Sequence, residues 1–239
     1  MFYFFLPSLF SFNTILVASA VVPAVLLMVR VYRSDKLEAE SPALLWRLVT
    51  AGVLSSLLAL VEERILVALL NLALPSDSVL YNIILYFGIV ALAEESSKYI
   101  LLKRRTWRSA EFNCQYDAVI YALFVSLGFA LWENISYVMA YGFSTAIIRA
   151  LTAIPGHACF GVFMGIFYGI AKKLDNRGET SAARGYRILS VLVPAALHGA
   201  YDYIASTNAS ILVFGGFVAV LFIVSYLLVG RFARDDRYI

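Results

Sequence analysis

The sequence predicts an all-α fold: a polytopic transmembrane helical bundle of about seven spans, with the N-terminus outside and the C-terminus cytoplasmic. Composition is the first reason, because 62% of the 239 residues are hydrophobic and 15% are charged, against about 45–50% and about 25% in soluble domains. The second is that the apolar residues form long blocks, and the third is that the basic residues fall in alternate loops. No internal repeat or low-complexity segment is visible, so we expect a single integral membrane domain over residues 1–239.

Seven apolar blocks reach the length of about 20 residues that a membrane span requires. The second block exceeds one simple span, because residues 44–61 already cover about 27 Å at about 1.5 Å per residue. We therefore expect the charged segment 62–64 at the far interface, followed by an interfacial or tilted extension that ends at Pro75. The predicted spans are 11–31, 43–72, 79–102, 117–141, 144–171, 186–206 and 209–230.

The basic residues set the predicted orientation. Sixteen of the 19 Lys and Arg residues lie in or beside the first, third and fifth loops and in the C-terminal tail. Loops rich in Lys and Arg stay in the cytoplasm, which puts the N-terminus outside. The same distribution explains the pI of about 8.8 without a nucleic-acid partner. The two cysteines, Cys114 and Cys159, form no CxxC motif, which excludes a thiolate zinc site.

A small set of polar residues remains inside the predicted spans. Ionisable groups at membrane depth usually face the bundle interior, pair with each other and mark a functional site. The set lies on four consecutive helices and includes both histidines of the protein. Its members are Glu94, Glu95, Lys98, Glu133, Asn134, Arg149, His157, His198 and Asp202.

The stretch from Glu94 to Lys98 combines two acids and a base. Glu94 and Lys98 are four residues apart and Glu95 and Lys98 three apart, so both carboxylates can reach the ammonium group. If Lys98 compensates one carboxylate, the other can accept a proton from water. An ion pair that holds two helices together near the cytoplasmic edge is the alternative, and the stretch alone leaves both open.

The other motifs lie on the next helices. Glu133 has no basic neighbour in sequence, so its partner is expected on another helix. His157 follows Pro155, which can kink a helix, and precedes a stripe of Gly161, Gly165 and Gly169 that is typical of close helix packing. His198 and Asp202 are four residues apart, a spacing that lets a carboxylate orient an imidazole.

Three tasks suit glutamates and histidines at membrane depth: activation of water for hydrolysis, zinc binding by two histidines and a carboxylate, and proton or ion translocation. The HExxH motif of common zinc proteases and the GxSxG motif of serine hydrolases are absent. A proton-coupled transporter or channel that uses the same groups remains the alternative to an enzyme.

Four motifs in order, "EESSK" at 94–98, "FALWEN" at 129–134, "GHACFGVFMG" at 156–165 and "HGAYD" at 198–202, resemble the PrsW family of intramembrane proteases. That family is part of the wider CAAX-protease and bacteriocin-processing superfamily. The resemblance covers about 79–205, which we expect to be a catalytic four-helix core. It implies cleavage of a membrane-anchored protein in a bacterial-type plasma membrane, and the family is associated with the first cut of an anti-sigma factor.

The resemblance also implies roles for single residues. Glu94 would be the general base, with Lys98 mainly compensating Glu95, and Glu133 and His157 would complete water binding. His198, which is counted with Glu94, Glu95, Glu133 and His157 among the catalytic residues, would stabilise the oxyanion. The supporting residues are Asp202, which would orient His198, together with Lys98 and Asn134.

Two motifs depart from the superfamily pattern, which often has FxxxH where this chain has Phe129 and Glu133, and HxxxN where it has His198 and Asp202. The metal question stays open at this point. No cofactor is favoured, and the glutamic-type mechanism is preferred. If zinc is present, Glu133, His157 and His198 are its predicted ligands.

Overall fold

The computed structural model describes residues 5–34, 39–207 and 210–239, with side chains from Thr14 onward. Within these residues all regular secondary structure is helical. The helices are α1 (Phe5–Tyr32), α2 (Pro42–Ala73), α3 (Val79–Ile83), a π-helical segment (Ile84–Val90), α4 (Ala91–Thr106), α5 (Asp117–Tyr141), α6 (Phe143–Leu151), α7 (Ala153–Asn176), α8 (Thr180–Ser206) and α9 (Ile211–Arg234).

Within the part of the chain that the structure describes, seven segments are long and apolar enough to cross a membrane, as the sequence predicts. Residue 209, the predicted start of the seventh span, lies outside the described residues. The second segment is one continuous helix of 32 residues, so 62–64 are helical and lie within it. The segments are Thr14–Tyr32, Pro42–Ala73, Val79–Thr106, Asp117–Tyr141, Phe143–Asn176, Thr180–Ser206 and Ile211–Arg234.

The starts of three helices follow from serine caps. Ser41 precedes Pro42, and its hydroxyl accepts a hydrogen bond from the Leu44 N–H at 3.2 Å. A serine at this position satisfies one of the free amide groups of the first turn, and proline is favoured directly after it. Ser78 and Ser210 cap α3 and α9 in the same way.

Helices α5 and α7 form the tightly packed centre of the bundle. The glycine stripe of α7 lies directly against α5, which confirms its predicted packing role. A Cβ atom on Gly165 would lie 2.5 Å from the Cα atom of Val119, and one on Gly161 would lie 2.9 Å from the Cβ atom of Ser126. Any larger residue at these positions would push the two helices apart.

Pro155 does not kink a long helix as the sequence suggested. The fifth span breaks at Thr152, where α6 has ended, and α7 begins at Ala153. Pro155 therefore lies in the first turn of α7, where a missing N–H costs no helical hydrogen bond. His157 follows one half-turn later, and the Ser126 hydroxyl donates to its carbonyl at 2.6 Å.

The π-helical segment and α8 meet at a close contact. A Cβ atom on Gly199 would lie 2.6 Å from Cδ1 of Phe87, so glycine is required there. Segments of π-helix often occur beside functional sites. This one ends one turn before Glu94, and the contact holds His198 on α8 next to α4.

The basic loops meet at one end of the bundle. The Ile239 N–H donates to the Asn113 carbonyl at 2.8 Å, and the Gln115 N–H donates to the Arg237 carbonyl at 3.2 Å. The Lys172 ammonium donates to the Trp107 carbonyl at 3.0 Å. The third loop, the end of α7 and the tail are therefore on the same side, as the alternating charge pattern requires. We call this side the basic end.

Candidate active site

Five polar residues of the four motifs line one cavity of about 420 Å³, which is bounded by α2, the third span, α5, α6, α7 and α8. Glu94, Glu133, His157, His198 and Asp202 all line it. The sequence predicted that these side chains would converge, and the structure brings them together. Many other cavity residues lie at helix ends away from the basic end, including Tyr137, Arg149 and Ser206.

Lys98 is the positive centre of the site. Its Nζ lies 2.6 Å from Glu95 Oε1, 3.4 Å from Glu94 Oε2 and 3.1 Å from His157 Nδ1. It also lies 4.0 Å from the ring centroid of Phe129, close enough for a cation–π contact. The side chain is completely buried, so it does not reach the membrane surface. The contacts with His157 and Phe129 show that Lys98 joins three helices.

The two adjacent glutamates differ in accessibility. Glu95 is fully buried and holds the shorter contact with Lys98, whereas the side chain of Glu94 is 9% exposed and faces the cavity. Glu95 Oε1 also lies 3.0 Å from His198 Nδ1. Its second oxygen, Oε2, is buried and has no hydrogen-bond partner among the described residues. Glu94 is therefore the carboxylate that water in the cavity can reach.

Glu133 has the inter-helix partners that the sequence required. Its Oε2 lies 2.8 Å from His157 Nε2 and 3.1 Å from Arg149 Nη2 on α6. Arg149 Nε also donates to Asn134 Oδ1 at 3.0 Å, and Asn134 Nδ2 donates to the Ala20 carbonyl of α1 at 2.9 Å. Asn134 thus fixes Arg149, and Arg149 fixes Glu133.

The two histidines share one pattern of contacts. Each Nε2 faces a carboxylate, Glu133 at 2.8 Å for His157 and Asp202 at 3.4 Å for His198. Each Nδ1 points toward Lys98 or Glu95 at the centre. The ring centroids are 5.2 Å apart. A carboxylate on one nitrogen fixes the orientation of an imidazole, and in this site the second nitrogen of each histidine contacts Lys98 or Glu95.

Four residues offer ligand atoms that all lie within 4.8 Å of one another: Glu94, Glu95, His157 and His198. Two imidazoles and two carboxylates suit zinc, and the unpartnered Oε2 of Glu95 is a donor that such an ion would satisfy. This set differs from the predicted one, because Glu133 lies on the outer nitrogen of His157. Lys98 Nζ lies among these ligand atoms, so an ion would have to share this space with an ammonium group.

Two charged residues of the cavity were not recognised as site residues from the sequence. Glu63 lines the cavity, although the charged segment 62–64 was expected at the interface. The signal was a run of charges inside a helix too long for a single span. Arg149 was noted as a buried polar residue without a role, and its partner Glu133 could not be identified from spacing alone.

The arrangement supplies an accessible carboxylate, a buried compensating cation and two oriented imidazoles in a cavity inside an apolar bundle. These are the groups that general acid–base hydrolysis requires. An ion pair that served only to join helices would need neither the cavity nor the second histidine.

Comparison with known proteins gives a consistent result. Residues 40–229 match the family model described as "PrsW family intramembrane metalloprotease". The protein "Protease PrsW" of Geobacillus kaustophilus is 35% identical over 189 residues, which cover 79% of each chain. The "Protease PrsW" of Oceanobacillus iheyensis is 30% identical over 88% of this chain and 92% of its own. That of Bacillus subtilis is 39% identical over 46% and 49%.

None of the solved structures gives a significant match to the chain. The family model covers all four motifs and every residue of the cavity, and the relatives are bacterial. This chain is therefore a multi-pass membrane protein that belongs to the PrsW family of intramembrane proteases.

Proposed function

We propose that the chain is an intramembrane endopeptidase in which Glu94 activates water to hydrolyse a peptide bond of a membrane-anchored protein. This proposal rests on the different surroundings of the two adjacent glutamates, Glu94 and Glu95. Lys98 lies 0.8 Å closer to Glu95 than to Glu94, at 2.6 Å against 3.4 Å, and only Glu94 faces the cavity. The pairing leaves Glu94 free to act as a base.

In this mechanism Glu94 removes a proton from a water molecule while the water oxygen attacks the scissile carbonyl carbon. The carbonyl oxygen becomes an oxyanion, and His198 stabilises it through its Nε2–H, whose 3.4 Å contact with Asp202 is longer than the contact of Nδ1 with Glu95. The C–N bond then breaks, and Glu94 returns the proton to the leaving amine. Asp202 orients His198, while Glu133 and Arg149 hold His157 against the reacting groups.

A metal-dependent version uses the same residues differently. Zinc would be held by ligands from Glu94, Glu95, His157 and His198, and it would polarise the carbonyl and the attacking water. Elemental analysis of the pure active protein, with chelator treatment, separates the two versions. We expect activity at zinc contents far below one ion per chain. Activity that disappears with chelation and returns with zinc would establish the metalloprotease instead.

The substrate that we propose is a single-pass protein of the anti-sigma-factor type, cut on the outer side of the membrane. Two features support this sidedness. The basic end is expected in the cytoplasm, and many cavity residues lie toward the opposite helix ends, among them Tyr137 and Ser206. Labelling of single cysteines in the loops with a membrane-impermeant reagent tests the orientation. Labelling of the second loop but not the third in intact cells is expected, and the reverse would overturn it.

Fragment analysis in cells tests the proposed activity. Candidate single-pass substrates are expressed with wild type or with Glu94→Gln, and membrane peptides are compared by mass spectrometry. A new terminus that appears with wild type and disappears with the variant is expected. If no fragment forms while the purified protein conducts protons in liposomes at acid pH, the cavity serves a transporter or channel.

A further inference from the structure

A second cavity lies on the opposite face of α7 from the active site. It has a volume of about 520 Å³ and is bounded by α1, α5, α7 and α9, within the range of about 300–1,000 Å³ that is typical of small-molecule sites. Its floor includes Ala158 and Cys159, which directly follow His157 in sequence. None of the proposed active-site residues lines it. We call it the α1–α9 groove.

The groove is apolar along its length and basic at one end. Its walls carry Leu27 and Val31 from α1 and Phe222 and Val229 from α9, among others. Two arginines, Arg30 and Arg234, also line it, and both are exposed. They lie in the last turns of α1 and α9, which puts both charges at the basic end. An occupant of this groove must therefore be apolar over most of its length and anionic at one tip.

The dimensions of the groove match one leaflet of a bilayer. From Arg234 to Phe222 the groove follows α9 for 12 residues, or about 18 Å at about 1.5 Å per residue. The hydrocarbon core is about 30 Å thick, so one leaflet contributes about 15 Å. Apolar walls thus extend about as deep as an acyl chain, with arginines at the level of a phosphate.

We propose that the α1–α9 groove is a binding site for one anionic phospholipid, with an acyl chain between α1 and α9 and the phosphate held by Arg30 and Arg234. Basic pockets between transmembrane helices bind anionic headgroups in this way. Arg30 also lies 5.8 Å from the ring centroid of Tyr226, which keeps its guanidinium at the mouth of the groove. The site is independent of the proteolytic mechanism.

Native mass spectrometry of the full chain, released from nanodiscs of equal parts phosphatidylglycerol and phosphatidylcholine, tests the charge requirement. Wild type is expected to retain one phosphatidylglycerol. The double variant Arg30→Gln/Arg234→Gln should lose about tenfold or more in preference, because each basic group near a membrane surface contributes roughly a factor of five. The control Arg33→Gln/Arg231→Gln removes the same charge from the same two helix ends, and it should retain the lipid.

A steric pair tests the groove itself. A Cβ atom at Gly230 meets no atom within 4 Å, and Gly230 lines the groove, so Gly230→Phe fills it without a clash at the backbone. Gly216 on the same helix is equally open but lies outside the groove, so Gly216→Phe is the control. Loss of the retained lipid in the first variant alone is expected.

Three outcomes would overturn the proposal. One is equal retention of the two lipids by wild type, and another is equal loss in both arginine double variants. The third is a dimer that Gly230→Phe dissociates, because the groove would then hold a second copy of the chain. Circular dichroism of all four variants confirms that lost binding does not reflect unfolding.

Discussion

Among the described residues, two groups of acidic side chains are partnered in opposite ways. The site acids, Glu94, Glu95, Glu133 and Asp202, contact Lys98, Arg149 or one of the two histidines. The loop-end acids, Glu40, Asp117 and Asp236, lie at the basic end. There the Tyr121 hydroxyl donates to Glu40 Oε2 at 2.7 Å, and backbone N–H groups donate to the other two.

The loop-end acids connect parts of the chain that are distant in sequence. The Cys114 N–H donates to Asp117 Oδ2 at 2.6 Å, and the Tyr116 N–H donates to Asp236 Oδ1 at 2.8 Å. Glu40 precedes α2, whereas Tyr121 lies on α5. These contacts fasten the first loop, the third loop and the C-terminal tail together.

The comparison indicates that the partner of a carboxyl group, rather than the carboxyl group itself, decides whether it is suited to catalysis or to stabilising the fold. Neutral donors satisfy a carboxyl group without any need for an exchangeable proton. A carboxylate that shares a cavity with Lys98, His157 and His198 can exchange protons with water and with a substrate. Substitutions in both groups test this division, from the largest expected effect to the smallest.

Lys98→Met should have the largest effect, because it leaves Glu95 buried without its cation. Removal of one partner of a buried ion pair costs about 3–5 kcal/mol. A large fall in melting temperature in detergent, together with loss of cleavage, is expected. The double variant Lys98→Met/Glu95→Gln should recover part of the stability but none of the activity. Full stability in the single variant would show that Lys98 does not hold the site together.

His198→Ala should remove activity while it spares the fold. Loss of one oxyanion donor lowers kcat by about 10²–10³-fold, and progress curves at saturating substrate measure it. Asp202→Asn should lower kcat by a smaller factor, because Asp202 orients the imidazole without contacting the substrate. If His198→Ala melted at a much lower temperature than wild type, the histidine would mainly stabilise the fold, as the loop-end acids do.

Tyr121→Phe should show the reverse pattern. It removes the hydroxyl that donates to Glu40 and leaves a buried acceptor without that donor, which costs about 1–3 kcal/mol. The melting temperature should fall, whereas kcat for the protein that remains folded should stay within about twofold. A loss of kcat comparable with that of His198→Ala would contradict the division between the two groups.

Glu40→Gln should produce the smallest effect, confined to pH dependence. Burial raises the pKa of Glu40 from 4.5 to about 8, and the nearby carboxyl groups of Asp117 and Glu111 add to the rise. Between these two pH values the folded state binds more protons than the unfolded state, so stability falls as pH rises from about 4.5 to about 8.

The variant cannot titrate, so its melting temperature should vary less with pH over this window and exceed that of wild type near pH 8. Thermal unfolding at a series of pH values measures both. An unchanged slope would place the titration on another group, and the carboxyl group of Asp117, which interacts directly with Glu40, is the nearest candidate.

The sequence predicted the spans and most of the charged and imidazole side chains that line the cavity, because both depend on the cost of charge in an apolar run. Hydropathy alone located seven spans, and the remaining polar residues included Glu94, Glu133, His157 and His198. The spacing within one helix also predicted that Lys98 would meet both glutamates.

The sequence did not predict features that depend on helix tilt or on irregular helix geometry. Glu63 seemed too far along α2 for the cavity, because a residue count gives distance along a helix and not its inclination. The π-helical segment 84–90 has no distinctive composition. Pro155 was expected inside a helix because the break at Thr152 interrupts a continuous apolar run. Pairs between helices, such as Glu133 with Arg149, need three-dimensional coordinates.

Cleavage by the purified protein in proteoliposomes tests the central claim most directly. Wild type, Glu94→Gln and Glu40→Gln are each reconstituted with a single-pass substrate identified in cells, and the new termini are quantified by mass spectrometry. We predict that Glu94→Gln loses about 10²–10⁴-fold in rate, the range for loss of a general acid–base group, while Glu40→Gln keeps the wild-type rate. Equal rates for Glu94→Gln and wild type would contradict the account.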